Sequence, residues 1–217
     1  MSLSLLWTSV LASLRDILAT GGPVVALLLG LSVLSAATVI YKFWQFRRAR
    51  VGRHARLRLA LDAVEQGDSA TATALLRDSR SYLAPVLLRA LSGGAVQEDR
   101  CDAEGEALFA RLETGLGFLD MVAQLAPLIG LFGTVIGMIE AFQGLQSAGT
   151  SVDPTVLAGG IWVALLTTAA GLAVAMPVAA LHGWLSGVVE RDRVFANAAL
   201  RQILAPAMAV NSRQEAA

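Results

Sequence analysis

Residues 125–142 read LAPLIGLFGTVIGMIEAF, and residues 157–185 read LAGGIWVALLTTAAGLAVAMPVAALHGWL. From Met121 to Val189 the only ionisable side chains are Glu140, Asp153 and His182. Uncharged tracts of that size match membrane spans, since a helix needs about 20 apolar residues to cross the hydrocarbon core. The pattern predicts one span over 119–145 and another over 155–189. They are joined at 146–154 by a connection that holds Asp153 and no Lys or Arg, which makes it readily translocated. Further upstream, no charged residue lies between Asp16 and Lys42, and PVVALLLGLSVLSAATVIY (Pro23–Tyr41) forms the heart of a first span at 21–44. The expected fold class is therefore all-α, a polytopic membrane protein with three transmembrane helices.

Charge sets the expected orientation. Lys42, Arg47, Arg48, Arg50, Arg53, Arg56 and Arg58 follow the first span with no acidic residue among them. A basic cluster beside a span marks the cytoplasmic side, because positive charge resists translocation. Trp44 and Phe46 sit where interfacial anchors belong, so membrane lipids are the expected neighbours of this run rather than nucleic acid. The N-terminus and the 146–154 loop are then periplasmic, while a 45–118 helical loop and a 190–217 tail are cytoplasmic. Arg191, Arg193, Arg201 and Arg213 in the tail agree with this orientation.

Residues 1–20 place Leu3, Leu6, Trp7, Val10, Leu11, Leu14 and Leu18 at helical spacing, as in an amphipathic helix lying on a membrane surface. A cleaved signal peptide would need a basic start, and Arg15-Asp16 interrupts the apolar run. Gly21-Gly22-Pro23 breaks this helix, and Pro23 suits the first turn of the next one. In the polar region, one helical stretch is expected from about Ala60 to Leu91 with a turn at Gly67-Asp68. Ser92-Gly93-Gly94 forms a loop, and a second helix begins near Asp102. No breaker is evident between that helix and the next span, so one long helix is expected to run from the cytoplasm into the membrane.

The chain of 217 residues is 55% hydrophobic and 16% charged, too apolar for an ordinary soluble domain. Lys+Arg and Asp+Glu each total 17, and a zero net charge argues against a non-specific nucleic-acid binder. The lone Cys101 excludes an intrachain disulfide or a CxxC motif, and His54 and His182 show no metal-ligand spacing. Acidic neighbours (Glu98, Asp99, Asp102, Glu104) should raise the Cys101 pKa and blunt its reactivity. With no catalytic constellation, an enzyme is not expected, nor any cofactor or metal.

The second and third spans are built for close packing. Gly130, Gly133 and Gly137 in one, and Gly160, Ala164 and Gly171 in the other, permit backbone approach where lipid supplies no hydrophobic drive. These six are expected to pack against other subunits, the alternative being packing within the chain alone. Thr134 and Thr168 are hydroxyls in otherwise apolar helices. Such threonines either bond back to their own helix or converge on a polar group inside an assembly.

The two runs quoted above resemble the signature of the TolQ/ExbB/MotA proton-channel family, and the size and three-span layout are closest to ExbB or TolQ. The resemblance covers the whole topology and is strongest over Leu125–Trp184. It implies a homopentamer in the bacterial inner membrane, whose second and third spans line a pore around an ExbD/TolR-like dimer. Each partner subunit would be a single-span protein with a membrane aspartate, and a TonB-like protein would carry the energy onward. By motif position Thr134 and Thr168 fall on the family's pore-facing threonines, with Thr167 beside them assigned to the same lining. At the position of the glutamate that ExbB members carry in the third span, this chain has Val163. The titrating acid is then expected on the partner. Glu140 is a candidate pore-mouth acid, the alternative being a solvated interfacial carboxylate. Asp120 and Glu113 are expected to be solvated or paired with Arg111. A non-conducting membrane scaffold is the competing reading of the chain as a whole.

Overall fold

The computed structural model describes the backbone of residues 3–93, 95–147 and 154–214, and the side chains of 22–93, 99–147, 154–155 and 157–204. The apolar face expected of residues 1–20, and the connection 148–153 with Asp153, lie outside the described residues. All described elements are helices: α1 (Leu3–Ala49), α2 (Ala55–Glu65), α3 (Ser69–Asp78), α4 (Ala84–Leu91), α5 (Ala95–Glu113), α6 (Leu116–Ser147) and α7 (Pro154–Gln214). Three stretches, Gly22–Ala49, Leu116–Ser147 and Leu157–Leu204, are long and apolar enough to cross a membrane. The chain divides into two compact units, Met1–Val39 with Gly117–His182 and Ile40–Leu116 with Gly183–Ala217.

The first unit contains the early part of α1, nearly all of α6 and the first half of α7. α1 kinks at Gly22 (φ 61, ψ −158), a left-handed backbone that glycine tolerates. Pro23 follows where a helix start leaves its amide unpaired anyway, so the expected break is present. α7 runs on as a helix of 61 residues, so the stretch expected as the third span and the first part of the expected tail are both helical.

The second unit is built from the polar middle of the chain. α2 packs on α3, α3 on α4 and α4 on α5. Each contributes apolar residues at helical spacing: Leu57, Ala60 and Leu61 from α2, Ala72 and Leu76 from α3, Val86, Leu87 and Ala90 from α4. The stretch expected as Ala60–Leu91 is three helices. One break is the anticipated Gly67-Asp68 turn, where Gly67 takes φ 77 and Asp68 caps α3 by accepting from the Thr71 amide at 3.0 Å. The other, at 79–83, precedes Pro85 in the first turn of α4. The long helix expected to enter the membrane is also interrupted. Thr114 donates its amide and its hydroxyl to the Ala110 carbonyl at 3.1 and 3.0 Å. Gly115 then takes φ 88, ending α5 with a left-handed residue.

Buried polar groups tie this unit together. Asp192, 1% exposed, accepts from the Gly52 amide at 3.0 Å, His54 Nε2 at 2.9 Å and the Tyr82 hydroxyl at 2.9 Å. A buried carboxylate is costly unless it is hydrogen-bonded, and this one has three donors, two from the 52–54 loop and one from Tyr82. Burial and the Asp192 charge push the Tyr82 phenol far above its ordinary pKa, which keeps it a donor. Lys42, the first residue of the basic run after the first span, is fully buried. It donates to Gln45 Oε1 at 2.7 Å and to the Leu112 carbonyl at 2.9 Å. Glu113 pairs with Arg193 at 2.8 Å rather than with Arg111.

Candidate functional site

The candidate site lies where α6 and α7 meet within the first unit. α6 buries Leu119, Val122, Ala126 and Ala141 along one stripe, and the glycines between them let α7 approach closely. A methyl group at Gly130 would meet the Thr167 carbonyl at 2.9 Å. One at Gly171 would meet the Ala126 carbonyl at 2.6 Å. At Gly137 it would lie 3.2 Å from Ala164 Cβ, and at Gly160 2.3 Å from Ala141 Cβ. At Gly133 it would strike both Thr167 (2.7 Å) and Val24 of α1 (2.9 Å), so three helices converge there.

Gly130, Gly133, Gly137, Gly160, Ala164 and Gly171 thus meet their neighbours within the chain, the second of the two packings that the sequence allows. The physical reason is that two antiparallel spans joined by a short connection are already adjacent, so their small-residue stripes meet each other first.

The threonines divide by environment. Thr167 is buried (2% exposed) and bonds back to the Ala164 carbonyl at 2.7 Å. Its side chain fills the space that Gly133 leaves. Thr134 is half-buried, and its hydroxyl donates to its own helix at Leu131 O, 2.6 Å away. Thr168, also half-buried, reaches across the seam to the Gly130 carbonyl at 3.4 Å, at the limit of a hydrogen bond. In an α-helix that carbonyl is also the acceptor for the Thr134 amide. The two hydroxyls therefore sit at nearly the same level, one on each helix, with their donors weakly or locally engaged.

Around them the first unit is bare of charge. Among its residues from 22 onward with described side chains, only Asp120, Glu140 and His182 are ionisable. Val163 is half-buried and supplies no acid, and Glu140 is exposed near the far end of α6. Asp120 accepts from Gln124 Nε2 at 2.9 Å and lies 3.8 Å from His182 Nδ1. This pairing of the sequence's one apparently isolated membrane histidine has no local signal, because its partner is on another helix. Cys101, in the second unit, is buried, and burial foremost, then Glu104, pushes its thiol up and keeps it unreactive. No group of three or more His, Cys, Asp or Glu suited to a metal ion occurs among the described residues.

Residues 80–195, over half of the chain, match the model of the MotA/TolQ/ExbB proton channel family. The chain is 36% identical over 170 residues to a putative biopolymer transport protein ExbB-like 1 of Synechocystis, a match covering 75% of this chain and 66% of that protein. It is 28% identical over 178 residues to a putative biopolymer transport protein ExbB homolog of Methanothermobacter thermautotrophicus, covering 80% and 63%. It is 31% identical over 193 residues to the biopolymer transport protein ExbB of Neisseria meningitidis serogroup A, covering 80% and 87%. The chain thus spans just under two thirds of the length of the first two relatives.

Proposed function

The chain belongs to the MotA/TolQ/ExbB proton channel family, and from that premise we propose that it is the pore-forming subunit of a proton-driven motor in the bacterial inner membrane. Five copies surround the spans of an ExbD/TolR-like dimer. The N-terminus faces the periplasm and the α2–α5 region faces the cytoplasm, as the Arg-rich run after the first span favours. Energy leaves the assembly through the partner and, where one is present, a TonB-like protein.

The observation that carries this reading is the uncharged seam with two hydroxyls at one level. A proton crossing a membrane needs an acceptor of suitable pKa along its path. The described part of the first unit offers none at mid-span, since Val163 is apolar, Asp120 and Glu140 lie towards the two ends of α6, and His182 is the unit's last residue. A carboxylate on the partner's helix would titrate, with Thr134 and Thr168 presenting hydroxyls that donate to it when charged and accept from it when protonated. Each can leave its present acceptor cheaply, because the Thr134 bond is local and the Thr168 bond is long. Thr167, enclosed beside Gly133, is a packing residue in this scheme. Glu140 serves as the acid at the outer mouth.

Proton uptake into proteoliposomes carrying this protein and its partner tests the assignment. Thr134→Val and Thr168→Val are expected to slow uptake by about a hundredfold each, the low end for losing one positioned proton-handling group. Uptake unchanged in both variants would reject the hydroxyl assignment. Uptake absent from the wild-type complex would favour the non-conducting scaffold.

A further inference from the structure

The second unit contains a cleft of about 770 Å³ that the motor reading does not use. Arg47, Arg50, Arg53, Arg58 and Arg191 line it. None of the five forms an ion pair among the described residues, whereas Arg56, Arg89 and Arg193 elsewhere in the unit are each paired with a carboxylate. The only acid in the lining is Asp192, and its oxygens are committed to Gly52, His54 and Tyr82. Five like charges around one concavity, without internal neutralisation, create a strong field for an anion.

The rest of the lining is apolar and aromatic. Phe43 stacks on Trp184 with centroids 5.4 Å apart. Arg58 lies over the ring of Phe195 at 5.9 Å, and that ring stacks in turn on His54 at 4.0 Å. The two kinds of lining are ordered along the chain. On α1, Phe43 and Phe46 come before Arg47, and Arg50 follows in the turn after the helix. On α7, Trp184, Leu185 and Val188 come before Arg191. Both helices thus emerge from an apolar run with an apolar wall first and guanidinium groups one or two turns later.

We propose that this cleft binds the headgroup of an anionic phospholipid, with the phosphate among the arginines and the upper acyl chains against Phe43 and Trp184. A free phosphate would need only the arginines. A lipid, whose phosphate and hydrocarbon are covalently joined, uses both parts of the lining in the order in which they occur. This inference does not depend on proton conduction, and its test requires no partner protein.

The test uses the full-length protein in neutral detergent micelles, titrated with phosphatidylglycerol or phosphatidylcholine, with retained lipid measured by native mass spectrometry. Saturable retention of phosphatidylglycerol over phosphatidylcholine is expected. Arg47→Gln should weaken it by about fivefold, the typical effect of one cationic side chain at a lipid surface. Arg48→Gln removes the same charge from the next position, but that guanidinium lies over Trp44 at 5.1 Å and outside the cleft lining. It should leave retention unchanged. Equal weakening by the two variants would mean diffuse attraction and overturn the site, as would inorganic phosphate competing as effectively as the lipid. Brominated phosphatidylglycerol should quench a component of wild-type fluorescence that is absent from Trp184→Phe. Failure of the brominated lipid to quench that component in the wild type would also overturn the proposal, whatever the folding of the arginine variants.

Discussion

Gly171 and Gly159 lie on the same helix and would respond differently to one methyl group. At Gly171 the added Cβ would fall 2.6 Å from the Ala126 carbonyl, a backbone atom that cannot swing aside, whereas at Gly159 nothing lies within 4 Å. Gly171→Ala is expected to destabilise the folded chain by about 1–3 kcal/mol through overpacking. Gly159→Ala should leave stability unchanged or slightly raised, since alanine is the better helix former. Thermal unfolding of the detergent-solubilised protein decides it, and equal melting temperatures for the two variants would contradict the seam. At this scale the sequence disclosed that the glycines serve close approach, because few other reasons place so many in an apolar helix. It did not disclose what approaches. Nor did it disclose Asp192, which stands in the run Glu190-Arg191-Asp192-Arg193 and reads as solvated, while its donors at Gly52, His54 and Tyr82 are over a hundred residues away.

The helix limits were legible wherever a breaker stood beside a cap. Gly22-Pro23 and Gly67-Asp68 were both apparent in the sequence. Gly115 escaped notice because a single glycine between Leu112 and Leu116 leaves the apolar spacing intact, and only its φ of 88 shows that α5 stops there. The Asp68 cap has a consequence for α3. Hydrogen bonds from Thr71 hold the Asp68 carboxyl below its ordinary value of 3.8. A group whose folded pKa is depressed stabilises the fold above its unfolded pKa, and that contribution is lost as the pH falls through the folded value. The α3 region should therefore loosen as the pH drops below 3.8. Asp68→Asn keeps a capping oxygen without a titrating group, so its acid-side loss should be smaller. Hydrogen exchange of the α3 amides between pH 6 and pH 3 reads this out, and identical acid profiles for wild type and variant would count against the cap as the cause.

For the molecule as a whole, the three spans were legible from uncharged length alone, but the way they assemble was not. A stripe of small residues looks the same in sequence whether it meets another copy or its own neighbour. Since the α6 and α7 stripes pack on each other within the chain, the proposed pentamer would draw on the large side chains left outside. These include Leu128, Phe132 and Ile139 on α6, and Trp162, Leu165 and Met176 on α7, all exposed in the single chain. In lipid such surfaces associate by packing rather than by a hydrophobic drive, so the ring should be sensitive to shape. Native mass spectrometry of the purified protein is expected to give a pentamer, and a stable monomer or dimer would refute it. Phe132→Ala or Leu165→Ala should shift the distribution towards smaller species at an unchanged melting temperature. Gly171→Ala should do the reverse, lowering the melting temperature while the surviving folded protein remains pentameric. A glycine variant that kept its fold but lost the ring would return the seam to the interface between copies, because only there can a methyl group separate subunits without first disturbing the chain that carries it.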